Sequence, residues 1–235
     1  MESRALARHR VLIEPARFNP RRISILGVGA GGLTCALLLG KLGITAIEVW
    51  DIDEVEPENL GPSLYGWNDV GMSKVDACAR LLAENVHLKI EARHESVEDM
   101  HEFGDVVFLC VDSNDLKLSL VERMHALGEA APSRVFEGRM SAQNFLAHSF
   151  NPRKQAHVSR WKDFYMPDDD IPAHLPGCGA VRVSLSTIAT MAASTLVQQF
   201  IDWVLWDTSG QQSSLVNQVY FDRTTFTCEP SSWGE

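Results

Sequence analysis

The sequence predicts an α/β fold centred on a doubly wound, mostly parallel sheet covered on both faces. Three observations carry this. From Ile23 onward short β-branched runs alternate with helical stretches. Each run is short and apolar enough for a central parallel strand. A glycine-rich turn also joins the first run directly to the first helix. The chain of 235 residues is long enough to bury a full core without disulfides or metals. We divide it into an N-terminal basic arm, residues 1–22, and one Rossmann-like domain, residues 23–235.

The first strand is expected at 23–26 and the first helix at about 31–41, stopping at Gly43. A second strand at 46–50 leads through a polar stretch to a helix at 73–84 and a strand at 88–92. A strand at 106–111 precedes a helix from about 114 to 127, ended by Gly128, and 135–137 completes the parallel set. After Arg139 the rhythm fails. Residues 144–150 read as an extra strand, and 151–179, polar and containing Pro and Asp, read as a crossover loop. The apolar stretch 181–206 is broken by Arg182, Gln198, Gln199 and Asp202, so it is a long buried or amphipathic helix and not a membrane span. Residues 214–228 alternate in the manner of a β-hairpin, with Leu215, Val216, Val219, Tyr220 and Phe221 as its apolar positions.

A net charge of −10 argues against binding a phosphate backbone, so no nucleic-acid partner is expected. Basic residues gather in the arm, where Arg4, Arg8, Arg10, Arg17, Arg21 and Arg22 face only Glu2 and Glu14. The arm lacks the continuous apolar core of a secretory signal, and its acids and single serine do not suit a mitochondrial presequence. Cys35, Cys78, Cys110, Cys178 and Cys228 are scattered and form no C-x-x-C pair, which fits reduced thiols and a cytosolic address. No membrane partner is expected.

Gly27, Gly29 and Gly32 form G-x-G-x-x-G between the first strand and the first helix. In that context the first glycine permits the bend, the second lets backbone N–H groups approach a phosphate, and the third lets the helix sit close to the strand. The next strand ends at Asp51, near the roughly twenty-residue spacing at which a carboxylate meets a nucleotide ribose. The pair points to nucleotide binding. It leaves open whether the ligand is NAD or ATP, since both classes use this turn.

Downstream residues separate the two. Residues 50–60 read Trp-Asp-Ile-Asp-Glu-Val-Glu-Pro-Glu-Asn-Leu, 71–74 read Gly-Met-Ser-Lys, and the fourth strand runs into Cys110-Val111-Asp112. With the glycine turn, these motifs resemble the ubiquitin-activating-enzyme-like adenylyltransferases, the ThiF/MoeB/HesA family, in its short bacterial or phage-type form. The resemblance extends from about Arg10 to Trp206.

It implies ATP- and Mg²⁺-dependent adenylylation of a C-terminal carboxylate, that of a ubiquitin-like protein or a related peptide, by a homodimer. Two anions must meet at the α-phosphorus, so the site needs cations and donors where charge builds. By resemblance Lys74 supplies a point charge to the phosphates, Asn59 a neutral donor, Asp112 the Mg²⁺ ligand and Asp51 the ribose contact. Asp53 either orders the loop or helps hold the metal.

Each residue alone has a plainer reading. Asn59 suits a turn, and Asp51 and Asp112 suit caps. Lys74 suits a solvated helix start, although a cation gains nothing from the positive end of the helix dipole, and that unfavourable placement favours function. Lys117 stands where the family has Arg and is either a basic contact or a solvated helix lysine. In Glu137-Gly138-Arg139-Met140, Arg139 is a substrate-contact candidate. Trp161, Phe164 and Tyr165 either clamp a peptide tail or tuck under the crossover loop as a satellite core. Cys178 reads as a small buried residue ahead of thiol chemistry.

The chain departs from the family at Gly61-Pro62-Ser63, where Arg usually stands in place of Pro62. Arg10 is the candidate to restore that charge from a partner subunit, with Arg8 its rival. Two other functions stay open: a catalytically silent nucleotide-binding subunit that scaffolds an active partner, which the missing Arg would explain, and an NAD-dependent oxidoreductase, which would have no use for Asn59, Lys74 and Asp112 together. Within the family, a modified-tRNA carboxylate is disfavoured by the acidic chain.

Overall fold

The computed structural model describes residues 21–170, 185–209 and 215–234. Its centre is an eight-stranded sheet in the order β3-β2-β1-β4-β5-β6-β7-β8. Strands β1 (Ile23–Leu26), β2 (Ile47–Trp50), β3 (Glu91–Arg93), β4 (Val106–Leu109) and β5 (Arg134–Met140) run parallel. Strands β6 (Asn144–Phe150), β7 (Gln218–Asp222) and β8 (Thr227–Ser231) extend the sheet in antiparallel fashion. The switch comes at the tight connection after β5, where the Ser141 amide donates to the Asn144 carbonyl; so short a link can only return the chain antiparallel.

Side-chain alternation sorts the two faces. Ile23 and Ile25 of β1 and Val106 and Phe108 of β4 join one core, which is covered by helices α1 (Ala30–Lys41), α2 (Lys74–Val86) and α5 (Ser186–Ser209). Leu26, Val107 and Leu109 face the other core, under α3 (Asn114–Ala126) and α4 (Gln155–Lys162). Phe108 stacks on Phe136 with ring centroids 4.9 Å apart, and Phe200 of α5 closes on both. Each such buried side chain contributes roughly 1.5–3 kcal/mol. Local signals end the helices: Ser73 and Ser113 accept amides of the first turns of α2 and α3, and His87 closes α2 in the left-handed conformation at φ 51°.

The elements follow the sequence expectation with definite differences. The third strand is displaced from 88–92 to Glu91–Arg93, because Leu88 and Ile90 pack against the core from outside the ladder. The fourth ends at Leu109, short of 111, and the hairpin strands are carried on to Ser231. Within 151–179, read as loop, Gln155–Lys162 is helical and residues 168–170 form a 3₁₀ turn. The long helix begins at Ser186 after a non-helical Leu185. Among the described residues no helix is long and apolar enough to cross a membrane.

Candidate functional site

Strands β1, β2 and β4 end level with one another, Leu26 lying between Trp50 and Leu109. Between β1 and β4 the chain order of the sheet reverses, and there open α/β sheets form a ligand crevice at the strand ends. The Gly27 amide donates to the Trp50 carbonyl at 2.8 Å and the Cys110 amide to the Leu26 carbonyl at 2.7 Å, so the loops leaving all three strands begin side by side.

The three glycines separate by cause. Gly27 has φ +85°, and a Cβ there would lie 2.8 Å from the main chain of Cys110 and Val111. A Cβ at Gly32 would lie 1.9 Å from the Gly27 carbonyl oxygen. Both positions therefore need glycine for packing. Gly29 meets nothing within 4 Å, so the second glycine faces open space. It is the N-cap of α1, makes no side-chain cap bond, and no acid stands in the first turn. The helix start thus offers amide donors and positive potential to an anion.

Asp51 braces this turn. One carboxylate oxygen accepts the Val28 amide at 2.8 Å and the other the Asp53 amide at 2.9 Å. Burial pushes its pKa up, opposed by those two amides. Asp53 holds Lys74 twice: its carbonyl accepts the Lys74 amide at 2.8 Å, and its carboxylate pairs with Nζ at 2.7 Å. The Lys74 side chain is 12% exposed and that of Asp53 is 62%, so a partly sheltered cation is held by a carboxylate open to solvent. Asn59 uses its side-chain oxygen to accept the Glu56 amide at 3.0 Å, which leaves its NH₂ group as the donor end. Asp112 is exposed just past β4, ahead of the Ser113 cap of α3.

Three features of the site region are not visible in the motifs. Buried Tyr65 donates to the Val28 carbonyl at 2.7 Å and lies 3.1 Å from the Lys74 carbonyl, joining the glycine turn to the start of α2. Asp168 accepts the Ser113 hydroxyl at 2.6 Å and the Asn114 amide at 3.0 Å, fastening the segment after α4 beside Asp112. Glu137, wholly buried in β5, lies 2.9 Å from Lys117 Nζ, 3.0 Å from Arg139 Nε, 2.8 Å from His148 Nδ1 and 3.1 Å from Trp161 Nε1. Burial alone would raise its pKa, but Lys117, Arg139 and His148 outweigh burial and hold it well below the usual glutamate range. Burial lowers His148, so its neutral ring donates from Nδ1. The sequence signal for this cluster is an acid within an apolar central strand.

These contacts resolve several sequence readings. Lys117 is not a solvated lysine: its side chain is 3% exposed and its ammonium also donates to the Gly138 carbonyl at 2.7 Å, so it neutralises Glu137. Trp161 does not clamp a peptide; it is fully buried and stacks on Phe150. Arg139 is directed by Glu137 and by the Phe164 carbonyl and covers the Trp161 ring. Phe164 remains partly exposed. Arg8, Arg10 and Cys178 lie outside the described residues.

The sheet order and the turn at its switch point define a Rossmann-like α/β protein. Residues 15–232 match the model of the ThiF family, and the chain belongs to that family. Over 221 residues it is 28% identical to ubiquitin-like modifier-activating enzyme 5 of Drosophila virilis, covering 86% of this chain and 54% of that protein. The same-named protein of Caenorhabditis elegans is 27% identical over 133 residues, 49% of this chain and 32% of its own. This chain thus spans about half or less of these curated relatives. Among solved structures, Escherichia coli MccB with AMPCPP and MccA superposes with a TM-score of 0.68 at 15% identity, covering 94% of this chain and 66% of that one. PaaA superposes with a TM-score of 0.69 at 17% identity, covering 93% and 75%. At such identities the likeness is one of fold.

Proposed function

We propose that the protein adenylylates a C-terminal carboxylate, that of a ubiquitin-like protein or a peptide, using ATP and releasing pyrophosphate. The carrying observation is the open space over Gly29, flanked by Asp51 and by the Asp53–Lys74 pair. The uncapped amides of α1 suit phosphate oxygens, and Asp51 stands where a ribose hydroxyl would meet it. Lys74, held by Asp53 at the start of α2, would exchange that carboxylate for a phosphate. Asn59 Nδ2 adds a neutral donor. The names of the relatives agree: the Drosophila and nematode proteins are called modifier-activating enzymes, and MccB structures carry AMPCPP or ATP together with, or apart from, MccA.

The residues present also fit magnesium. Among the described residues no group of three or more His, Cys, Asp or Glu side chains could cage a metal. Mg²⁺ asks for less, since it keeps several waters and takes one or two carboxylates besides substrate phosphates. Exposed Asp112 would be that carboxylate, and a bound ion would offset the negative charge that builds on the phosphates as pyrophosphate leaves. Asp53, engaged with Lys74, orders the loop in this reading. We place residues 23–235 in one catalytic domain of a cytosolic homodimer, with Arg10 of the 1–22 arm reaching the partner's site. Pro62 in place of the family Arg favours one second reading, a silent subunit scaffolding an active partner.

Exchange of labelled pyrophosphate into ATP tests the proposal. Exchange that depends on magnesium and on an added acceptor peptide is expected. A folded, ATP-binding protein with no exchange would establish the scaffold reading, and calorimetry showing tighter binding of NAD than of ATP would overturn both.

A further inference from the structure

Away from the nucleotide crevice, the cluster around Glu137 leaves three buried nitrogens without partners among the described residues. Arg139 gives Nε to Glu137 and Nη1 to the Phe164 carbonyl, but its Nη2 is buried and unpartnered. His148 is wholly buried; Nδ1 is bound to Glu137 and Nε2 has no partner. Trp233, fixed by its main-chain amide on Asn217 Oδ1 at 2.7 Å, has a buried and unpartnered Nε1. The three residues are gathered at one place. Arg139 and His148 sit on the two oxygens of one carboxylate, and the Trp233 ring lies 5.7 Å from the His148 ring. Glu137 stands beside Leu109, the last residue of β4, so the cluster is two strands away from β1 and its glycine turn.

Charge and hydrogen count together define what fits. Lys117 and Arg139 bring two positive charges to the single Glu137 carboxylate, so one sheltered positive charge is unmatched, and a buried charge requires a partner. Arg139 Nη2 and Trp233 Nε1 are donors. His148 Nε2 is an acceptor, because Nδ1 carries the proton directed at Glu137. We propose that these three atoms bind one small monovalent oxyanion that carries a hydroxyl hydrogen, the class represented by bicarbonate. Its bare oxygens accept from Arg139 and Trp233, its hydroxyl donates to His148, and its charge matches the excess. A halide or nitrate would meet the charge but leave the His148 lone pair facing an anion. The site is independent of the nucleotide reading above.

The other groups packed around His148 leave this count intact. Lys117 of α3 and Trp161 of α4 are directed at Glu137. His157 of α4, on the far side of Trp233, has both ring nitrogens engaged, one with the Asn151 amide and one with the Gly234 carbonyl. Gln218 of β7, the register partner of His148, is neutral, and its buried, unpartnered side-chain oxygen is a second acceptor for a hydroxyl. Phe164 is the door: its ring lies 5.5 Å from that of His148 and is 36% exposed. Its carbonyl also holds Arg139, so an anion on Arg139 steadies the segment that Asp168 fastens beside Asp112.

The test is thermal unfolding of the full chain in sealed cells at mildly alkaline pH and constant ionic strength, with sodium chloride replaced stepwise by sodium bicarbonate or by sodium nitrate. Amide hydrogen exchange over residues 161–168 gives a local readout. The Tm should climb by roughly 3–6 °C for each tenfold rise in bicarbonate beyond its Kd, and exchange at 161–168 should slow. Nitrate, planar and of the same charge but without the hydrogen, should do neither. Trp233→Phe keeps the aromatic ring and removes the N–H; Arg139→Lys keeps the charge and removes Nη2. Each should weaken bicarbonate binding by about tenfold or more. Nitrate acting as well as bicarbonate overturns the proposal. So does equal behaviour in all three salts, which leaves ordered water as the partner of these atoms, and so does a bicarbonate effect that survives both substitutions.

Discussion

Replacing Glu137 by Gln keeps the shape of the side chain and removes the anion that Lys117 and Arg139 share. Lys117 is 3% exposed and Arg139 15%, so neither recovers full hydration. Removing one partner of a buried pair costs about 3–5 kcal/mol. For a domain of this size each kcal/mol shifts Tm by roughly 2–4 °C, so Glu137→Gln should melt about 6–20 °C lower at neutral pH. The pH dependence has a definite sign. The folded pKa of Glu137 lies below its unfolded value, so its contribution is complete above the ordinary glutamate range and is lost as pH falls through the folded value. Thermal unfolding of both proteins from neutral to strongly acid pH should show the gap narrowing only at the acid end. Adding Lys117→Met to Glu137→Gln should recover part of the loss, because the orphaned cation goes with its partner. A gap below about 1 kcal/mol, or a double variant less stable by the full sum of the single losses, would refute the account of Glu137 as the keystone of this cluster.

Other outcomes follow from the site. Asp112→Ala should remove pyrophosphate exchange and shift stability by no more than about 0.5 kcal/mol, as for an exposed side chain; retained exchange would take Asp112 out of the metal role. Gly32→Ala places a methyl group 1.9 Å from the Gly27 carbonyl and should lower the Tm and abolish ATP binding, whereas Gly29→Ala, in open space, should fold normally and lose affinity only. Arg10→Ala and Asp112→Ala chains, each inactive, should regain part of the rate when mixed, since one site per mixed dimer joins an intact Asp112 to the partner's intact Arg10. A dead mixture containing proven mixed dimers would leave Arg10 acting in its own chain or not at all.

The glycine turn was legible because steric exclusion leaves a fixed mark: where a Cβ cannot fit, glycine must stand. The bond from the Val28 amide to Asp51 was not legible: the spacing alone pointed Asp51 to a ribose, and a contact back to the turn leaves no mark in the sequence. Helix α4 was not legible. Its buried face is His157, Val158 and Trp161, and a histidine on that face conceals the apolar period. The third strand was misplaced because Leu88 and Ile90 are apolar for core contact, while the ladder at Glu91–Arg93 is a short, charged edge of the kind that resists further pairing. The hairpin read to 228 continues to Ser231, because β8 is an edge strand and tolerates Pro230. The sequence left Lys117 between a basic contact and a solvated lysine, because its neutralising partner comes from β5 and no local pattern records that encounter.

The Tyr65 hydroxyl has one proton and two main-chain carbonyls within reach, one in the glycine turn and one at the first residue of α2. Its ring is buried, and burial pushes its pKa up, so the phenol stays protonated and keeps a donor to offer. The anion-facing amides and the lysine are thereby carried on one rigid frame, although they belong to helices separated by a long loop. In the proposed ATP reading, the Tyr65 hydroxyl would keep the root of Lys74 beside the glycine turn while its ammonium exchanges Asp53 for a phosphate.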